Sequence, residues 1–233
     1  ASTAVNESWN GTNWTEVNDL NTARESAIAA NTGTQTAALF AGGHKGNPPP
    51  NANTADVESW NGTNWTEVNN LNQLREYVGN AGTQTSALAF GGTIPPTTAA
   101  TELWNGTNWA ETNDLNTARY KHSSPGTTTN ALAVGGYDGS NNVANAEEWT
   151  GAGAPVGAWS TSGALNTSRG KLASSTNGTQ TASLAIGGET SPRAQTELYN
   201  GTNWTEVNDL NQGRERLGGA GTSTSALAFG GLV

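Results

Sequence analysis

The sequence predicts an all-β fold in a single domain, built from one four-strand unit used five times. Three observations predict it. The stretch Trp9-Asn10-Gly11-Thr12-Asn13-Trp14-Thr15-Glu16-Val17-Asn18-Asp19-Leu20-Asn21, with Thr22-Ala23-Arg24 behind it, returns nearly unchanged at Trp60 to Arg75, Trp104 to Arg119 and Tyr199 to Arg214. A looser copy runs from Trp149 to Arg169. The apolar residues sit in short runs separated by Gly, Asn, Thr and Pro, so no 3.6-residue pattern lasts long enough for a helix. A unit of about 47 residues cannot bury an apolar face alone, so the copies must pack on one another.

The first strand of each unit follows the repeated Arg and is rich in small residues. It is expected at Glu25 to Ala30, Glu76 to Asn80, Tyr120 to Ser124, Gly170 to Ser174 and Glu215 to Gly219. The second strand is the most apolar. It is expected at Ala37 to Ala41, Ala87 to Phe90, Ala131 to Val134, Ala182 to Ile186 and Ala226 to Phe229. Each second strand ends in a Gly doublet, such as Gly42-Gly43, which fits a positive φ or a close approach of two chains.

The third strand carries Glu two residues before an aromatic: Glu7 and Trp9, Glu58 and Trp60, Glu102 and Trp104, Glu147 and Trp149, Glu197 and Tyr199. A period of two puts both side chains on one face. Asn-Gly then turns the chain. The fourth strand carries Trp14, Trp65, Trp109, Trp159 and Trp204. The linker behind it holds Leu20, Leu71, Leu115, Leu165 and Leu210, expected as buried plugs.

Composition narrows the function. Net charge is −9, with 19 acidic and 10 basic residues. That opposes a nucleic-acid surface, which needs clustered Lys and Arg, and an anionic membrane surface. The absence of Cys excludes disulfides, thiolate metal sites and cysteine nucleophiles. With His44 and His122 as the two histidines, no metal site and no cofactor are expected. A surface rich in Thr, Asn and Ser suits an extracellular or virion-exposed setting. A chain that starts at Ala1 and holds no Met is expected to be a processed product or part of a larger protein or assembly.

Four strands per unit, Gly-Gly after the second, an aromatic on the third, Trp on the fourth and Arg before the next first strand resemble the kelch repeat. The resemblance covers the whole chain. It departs from the kelch pattern in having Trp where the third strand usually has Tyr, and in its shorter hairpin. The near-identical copies are also similar to repeat proteins of environmental bacteriophages. The resemblance implies a five-bladed β-propeller of kelch type, with four antiparallel strands per blade around a channel. It implies a scaffold for binding. The copper-oxidase relatives need a Cys ligand that this chain lacks. The chain opens with strands three and four and closes with strands one and two. Thr224 to Phe229 is therefore expected to pair with Ala4 to Trp9 in a closing blade.

Candidate residues fall into three sets. Arg24, Arg75, Arg119, Arg169 and Arg214 match Glu7, Glu58, Glu102, Glu147 and Glu197 in number. They form either a structural ring of ion pairs or an anion-gripping ring. Trp14, Trp65, Trp109, Trp159 and Trp204 either fill the space between blades or serve as five equivalent sugar-stacking sites of a multivalent lectin. The loops between strands two and three vary most. They place His44, Lys45, Asn47, Asn51, Ile94, Tyr137, Asp138, Asn141 and Arg193 on one face, the expected site for a protein or glycan partner. The loop from His44 to Asn53, with Pro48-Pro49-Pro50, is expected to project beside Thr93-Ile94-Pro95-Pro96 and Tyr137-Asp138. No catalytic set is expected. Five-fold repetition of Glu7 and Glu16 opposes an asymmetric glycosidase pair, and no Ser-His-Asp set exists. Sequons such as Asn10-Gly11-Thr12 coincide with hairpin turns and are read as turn chemistry.

Overall fold

The computed structural model describes residues 2–29, 33–46, 52–151, 157–189, 191 and 193–233. Every regular element among them is a β-strand, and every ladder is antiparallel. Three four-stranded sheets have the expected order. The first is Ile28–Ala29, Ala38–Ala41, Val57–Trp60 and Trp65–Val68; the second is Gly79–Gly82, Ala87–Phe90, Thr101–Trp104 and Trp109–Glu111. Another is Ala173–Ser174, Ser183–Ile186, Thr196–Tyr199 and Trp204–Glu206.

Between the second and the last of these lies a sheet of Asn130–Val134, Ala146–Thr150 and Ala158–Ser162. Its innermost strand shrinks to the bridges Ser123 to Val134 and Gly126 to Ala131. Pro125 stands there, and its missing N–H cannot join a ladder; only its carbonyl does, accepting from Leu132 N–H at 2.9 Å.

The first strands begin about three residues later than the sequence predicts. Ser26, Tyr77, Lys121, Lys171 and Arg216 all adopt left-handed backbone, with φ between 52° and 56°. Isolated bridges such as Glu76 to Thr93 precede them, and the continuous pairing of each first strand starts only beyond them. The reason is tertiary: the N–H of Tyr77 donates to Ser26 O, that of Lys171 to Lys121 O, and that of Arg216 to Lys171 O, each at 2.9 Å. Consecutive units are stitched together at this point. The bond helps to hold a conformation that costs an L-residue about 1–2 kcal/mol.

The Gly doublets take positive φ as expected. A Cβ on Gly42, Gly91, Gly135 or Gly187 would lie 2.5–2.6 Å from the carbonyl oxygen of the next unit's Arg. The second glycine of each doublet donates its N–H to that same oxygen at 2.8–3.1 Å. The Asn-Gly hairpin is a four-residue loop. Asn105 N–H donates to Asn108 O, and Asn105 Oδ1 accepts from the N–H of Thr107 and Asn108 at 2.9 and 2.8 Å. The sequon asparagine thus closes its own turn.

The core lies between consecutive sheets. Trp109 packs with Leu39 and Val57 of the preceding sheet, Trp159 with Leu88 and Phe90, and Trp204 with Leu132 and Val134. Leu71, Leu115 and Leu165 are buried plugs, and Leu20 and Leu210 are half-buried.

The ends differ from expectation. Asn6–Trp9 pairs only with Trp14–Val17, and Gly218–Gly221 only with Ala226–Phe229; no ladder joins the two hairpins. The predicted closing blade of Thr224 to Phe229 with Ala4 to Trp9 is not formed. Each hairpin satisfies one edge internally, and the packing of consecutive units leaves a seam between them. Among the described residues, seven of the nine exposed large apolar side chains lie in these two terminal segments: Val5, Trp9, Trp14, Leu227, Phe229, Leu232 and Val233.

Candidate functional site

Four of the five repeated arginines are held in buried ion pairs. Arg24 meets Glu58 at 2.9 Å, Arg75 meets Glu102 at 2.6 Å, Arg119 meets Glu147 at 2.6 Å and Arg169 meets Glu197 at 3.1 Å. These eight side chains are almost wholly buried. The carboxylates have further donors: Glu147 accepts from the N–H of Asn116 and Thr117 and from Asn116 Nδ2. Burial pulls the Arg75, Arg119 and Arg169 guanidiniums below their ordinary value, and the paired carboxylates oppose it. The fifth pair is not made. Arg214 donates to Ala228 O at 2.9 Å, and neither Arg214 nor Glu7 has an ion pair among the described residues.

The fourth-strand tryptophans divide in the same way. Trp109, Trp159 and Trp204 are buried between sheets, Trp65 is half-buried and Trp14 is 65% exposed. Their indoles tilt against the third-strand aromatics at 4.9–5.5 Å between centroids.

The loops between strands two and three share one face, in chain order. Asn53 Nδ2 donates to Thr93 O at 3.0 Å, and His44, Ala52 and Asn53 line a groove with Leu74, Ile94 and Pro95. Pro95, Pro96 and Thr97 line the next groove with Tyr120, Asp138, Gly139 and Ser140. Lys45 is tied to Asp56 at 2.6 Å, and His44 lies 3.9 Å from Glu25. Asp138 accepts from the N–H of Asn141 and Ser140, which hold its carboxyl below the usual carboxylate range. Tyr137 Oη donates to Ser140 O. Arg193 is exposed, 3.9 Å from Glu215. Asn47 and Asn51 lie outside the described residues.

These loops surround a feature that the sequence reading missed. A cavity of about 490 Å³ is lined by one or two residues from each of five successive units: Ser26-Ala27, Tyr77, Lys121-His122, Lys171-Leu172 and Arg216-Leu217. Its walls include the five left-handed residues. The signal was in the sequence. The slot two residues beyond the repeated Arg holds Ser, Tyr, Lys, Lys and Arg, within a first-strand segment that varies more between copies than the Trp-to-Arg stretch before it.

Lys171 is held by Glu189 and by Glu215 at 3.5 Å, and Arg216 lies 3.8 Å from Glu215. Lys121 has no carboxylate within ion-pair distance among the described residues. It sits over the rings of Tyr77 and Tyr120, at 5.0 and 4.9 Å from their centroids. Tyr120 meets Tyr137 edge-on at 5.4 Å. Burial pulls the Lys121 ammonium down, and the like charges of Lys171 and Arg216 add to that. Tyr77 and three cations thus line one opening, and Tyr120, with Tyr137 against it, flanks Lys121. Behind Lys121, His122 is half-buried, with its ring against Phe90 and both ring nitrogens shielded, and desolvation pushes its imidazole down to about 3. Among the described residues, no group of three or more His, Asp or Glu side chains is placed to hold a metal ion.

No protein-family profile matches this chain, and no curated protein matches it. Its fold is similar to that of the solved protein titled "Structure of YjhT", a fold of propeller type, with a TM-score of 0.78 at 12% identity. The match covers 99% of this chain and 84% of that one. At this identity the likeness concerns the fold alone.

Proposed function

We propose that this chain is a kelch-type propeller scaffold of five units and a non-catalytic recognition module. Its partner is a glycan, or a glycan-bearing protein, that presents an anionic group to the mouth of the central cavity. One observation carries this reading: each of the five units contributes the residue two beyond its repeated Arg to that mouth, and three of those five residues are cations. The slot holds Ser26, Tyr77, Lys121, Lys171 and Arg216, so the mouth combines an aromatic ring with three positive charges. Aromatic faces beside a cation suit a sugar ring that carries a carboxylate or sulfate. The loops at His44, Ile94 and Tyr137 would supply the rim.

The alternative of a lectin with five equivalent sites has less support, because Trp109, Trp159 and Trp204 present no open face. Titration of acidic and neutral oligosaccharides with the chain tests the proposal. Expected is one acidic glycan per chain, with affinity that falls as salt rises and drops at least tenfold in Lys121→Glu at unchanged melting temperature. Equal binding by Lys121→Glu, or four to five sugars per chain, would overturn it.

A further inference from the structure

The seam between the terminal hairpins is a built half-interface. We infer that it takes one further unit of this same repeat, entering with its third and fourth strands first and its first and second strands last.

Three observations carry this. Four groups that interior units satisfy through a neighbour are unmet at the seam among the described residues. Arg214 lacks the carboxylate that Arg24, Arg75, Arg119 and Arg169 have, and Glu7 lacks its arginine. Asn72, Asn116 and Asn166 each donate their backbone N–H to the next third-strand Glu at 2.6–2.7 Å, whereas the matching Asn211 is exposed with no such bond among the described residues. A Cβ on Gly230 would meet nothing within 4 Å, where the four equivalent glycines meet the next unit's Arg.

The two open strands also match what such a unit supplies. Ala226–Phe229 has the sequence of Ala87–Phe90, whose outer edge pairs with Thr101–Trp104, and Asn6–Trp9 resembles Val57–Trp60, whose inner edge pairs with Ala38–Ala41. Their unpaired edges are templates for strand addition.

The third observation sets the size of the gap. About 231 of the 233 residues superpose on 84% of the neighbour's chain, so its remaining 16% is about 44 residues. That is one unit. The two terminal hairpins share no ladder, and a difference of this size matches one unit between them.

The test uses the chain itself and an extended chain in which residues 189–231 are repeated once after Gly231, a junction that reproduces the Gly188–Glu189 link. Expected is a melting temperature about 10 °C or more above the parent, loss of hydrophobic-dye binding, and an internal disulfide when Cys replaces Glu7 and the second copy of Ala228. These two positions should face each other as Glu102 faces Ala89. The chain has no other Cys. In the unextended chain, Glu7→Cys with Ala228→Cys should stay reduced and monomeric. An internal disulfide there would show that the five units close on themselves. Disulfide-linked oligomers would show that a second copy fills the seam. Either result, or an extended chain that melts like the parent, overturns the inference.

Discussion

Arg119→Ala and Arg214→Ala remove the same side chain from the same slot of two units, yet the structure predicts different losses. Arg119 is fully buried. Its guanidinium donates to Glu147 at 2.6 Å, to Asn145 O at 2.6 Å and to Gly135 O at 3.2 Å. Removing it strands a buried carboxylate and deprives two carbonyls of a donor. Breaking a buried pair in this way costs about 3–5 kcal/mol. For a chain of this length, about 2–4 °C of melting temperature is lost per kcal/mol, so a fall of roughly 6–20 °C is expected. Arg214 is half-buried, makes one bond to Ala228 O and has no carboxylate, so its loss should cost about 1 kcal/mol. Urea titration followed by tryptophan fluorescence measures both. Glu147→Gln in the Arg119→Ala background should recover part of the loss, because it removes the stranded charge. Equal losses from Arg119→Ala and Arg214→Ala would refute the reasoning, since they would mean that Arg214 is paired as firmly as Arg119.

Two other outcomes follow from the same geometry. His122 has its imidazole pushed down to about 3, below the value of about 6.5 in an unfolded chain. The unfolded state therefore binds more protons between these values, and stability present above pH 6.5 is lost as pH falls toward 3. The loss should reach about 2 kcal/mol by pH 5, read from urea midpoints between pH 7 and 5, and should vanish in His122→Phe. Gly135→Ala and Gly230→Ala place the same methyl on left-handed backbone, at φ 62° and 65°. The first lands 2.6 Å from Arg169 O and the second meets nothing within 4 Å. Thermal melting should show Gly230→Ala costing about 1–2 kcal/mol and Gly135→Ala clearly more.

The sequence by itself determined the unit. Alternating Glu and Trp, the Asn-Gly loop and the Gly doublet are local signals, because strand period, turn chemistry and positive φ are properties of a few consecutive residues. Five repeated Arg and five repeated Glu pointed to pairing, because a buried charge needs a partner. The first strands were placed too early because nothing local marks Tyr77 or Lys121 as left-handed; a hydrogen bond from the neighbouring unit holds them there. That bond joins residues about 45 to 50 positions apart, and it is also what carries the variable slot to the central cavity. The same holds for the ends. Sequence phase says that Ala226–Phe229 and Asn6–Trp9 are complementary, but the curvature summed over the packed interfaces between Trp65 and Phe229 decides whether they meet. Curvature comes from the angles at which side chains such as Trp109, Trp159 and Trp204 hold one sheet against the next, and no single unit's sequence contains it.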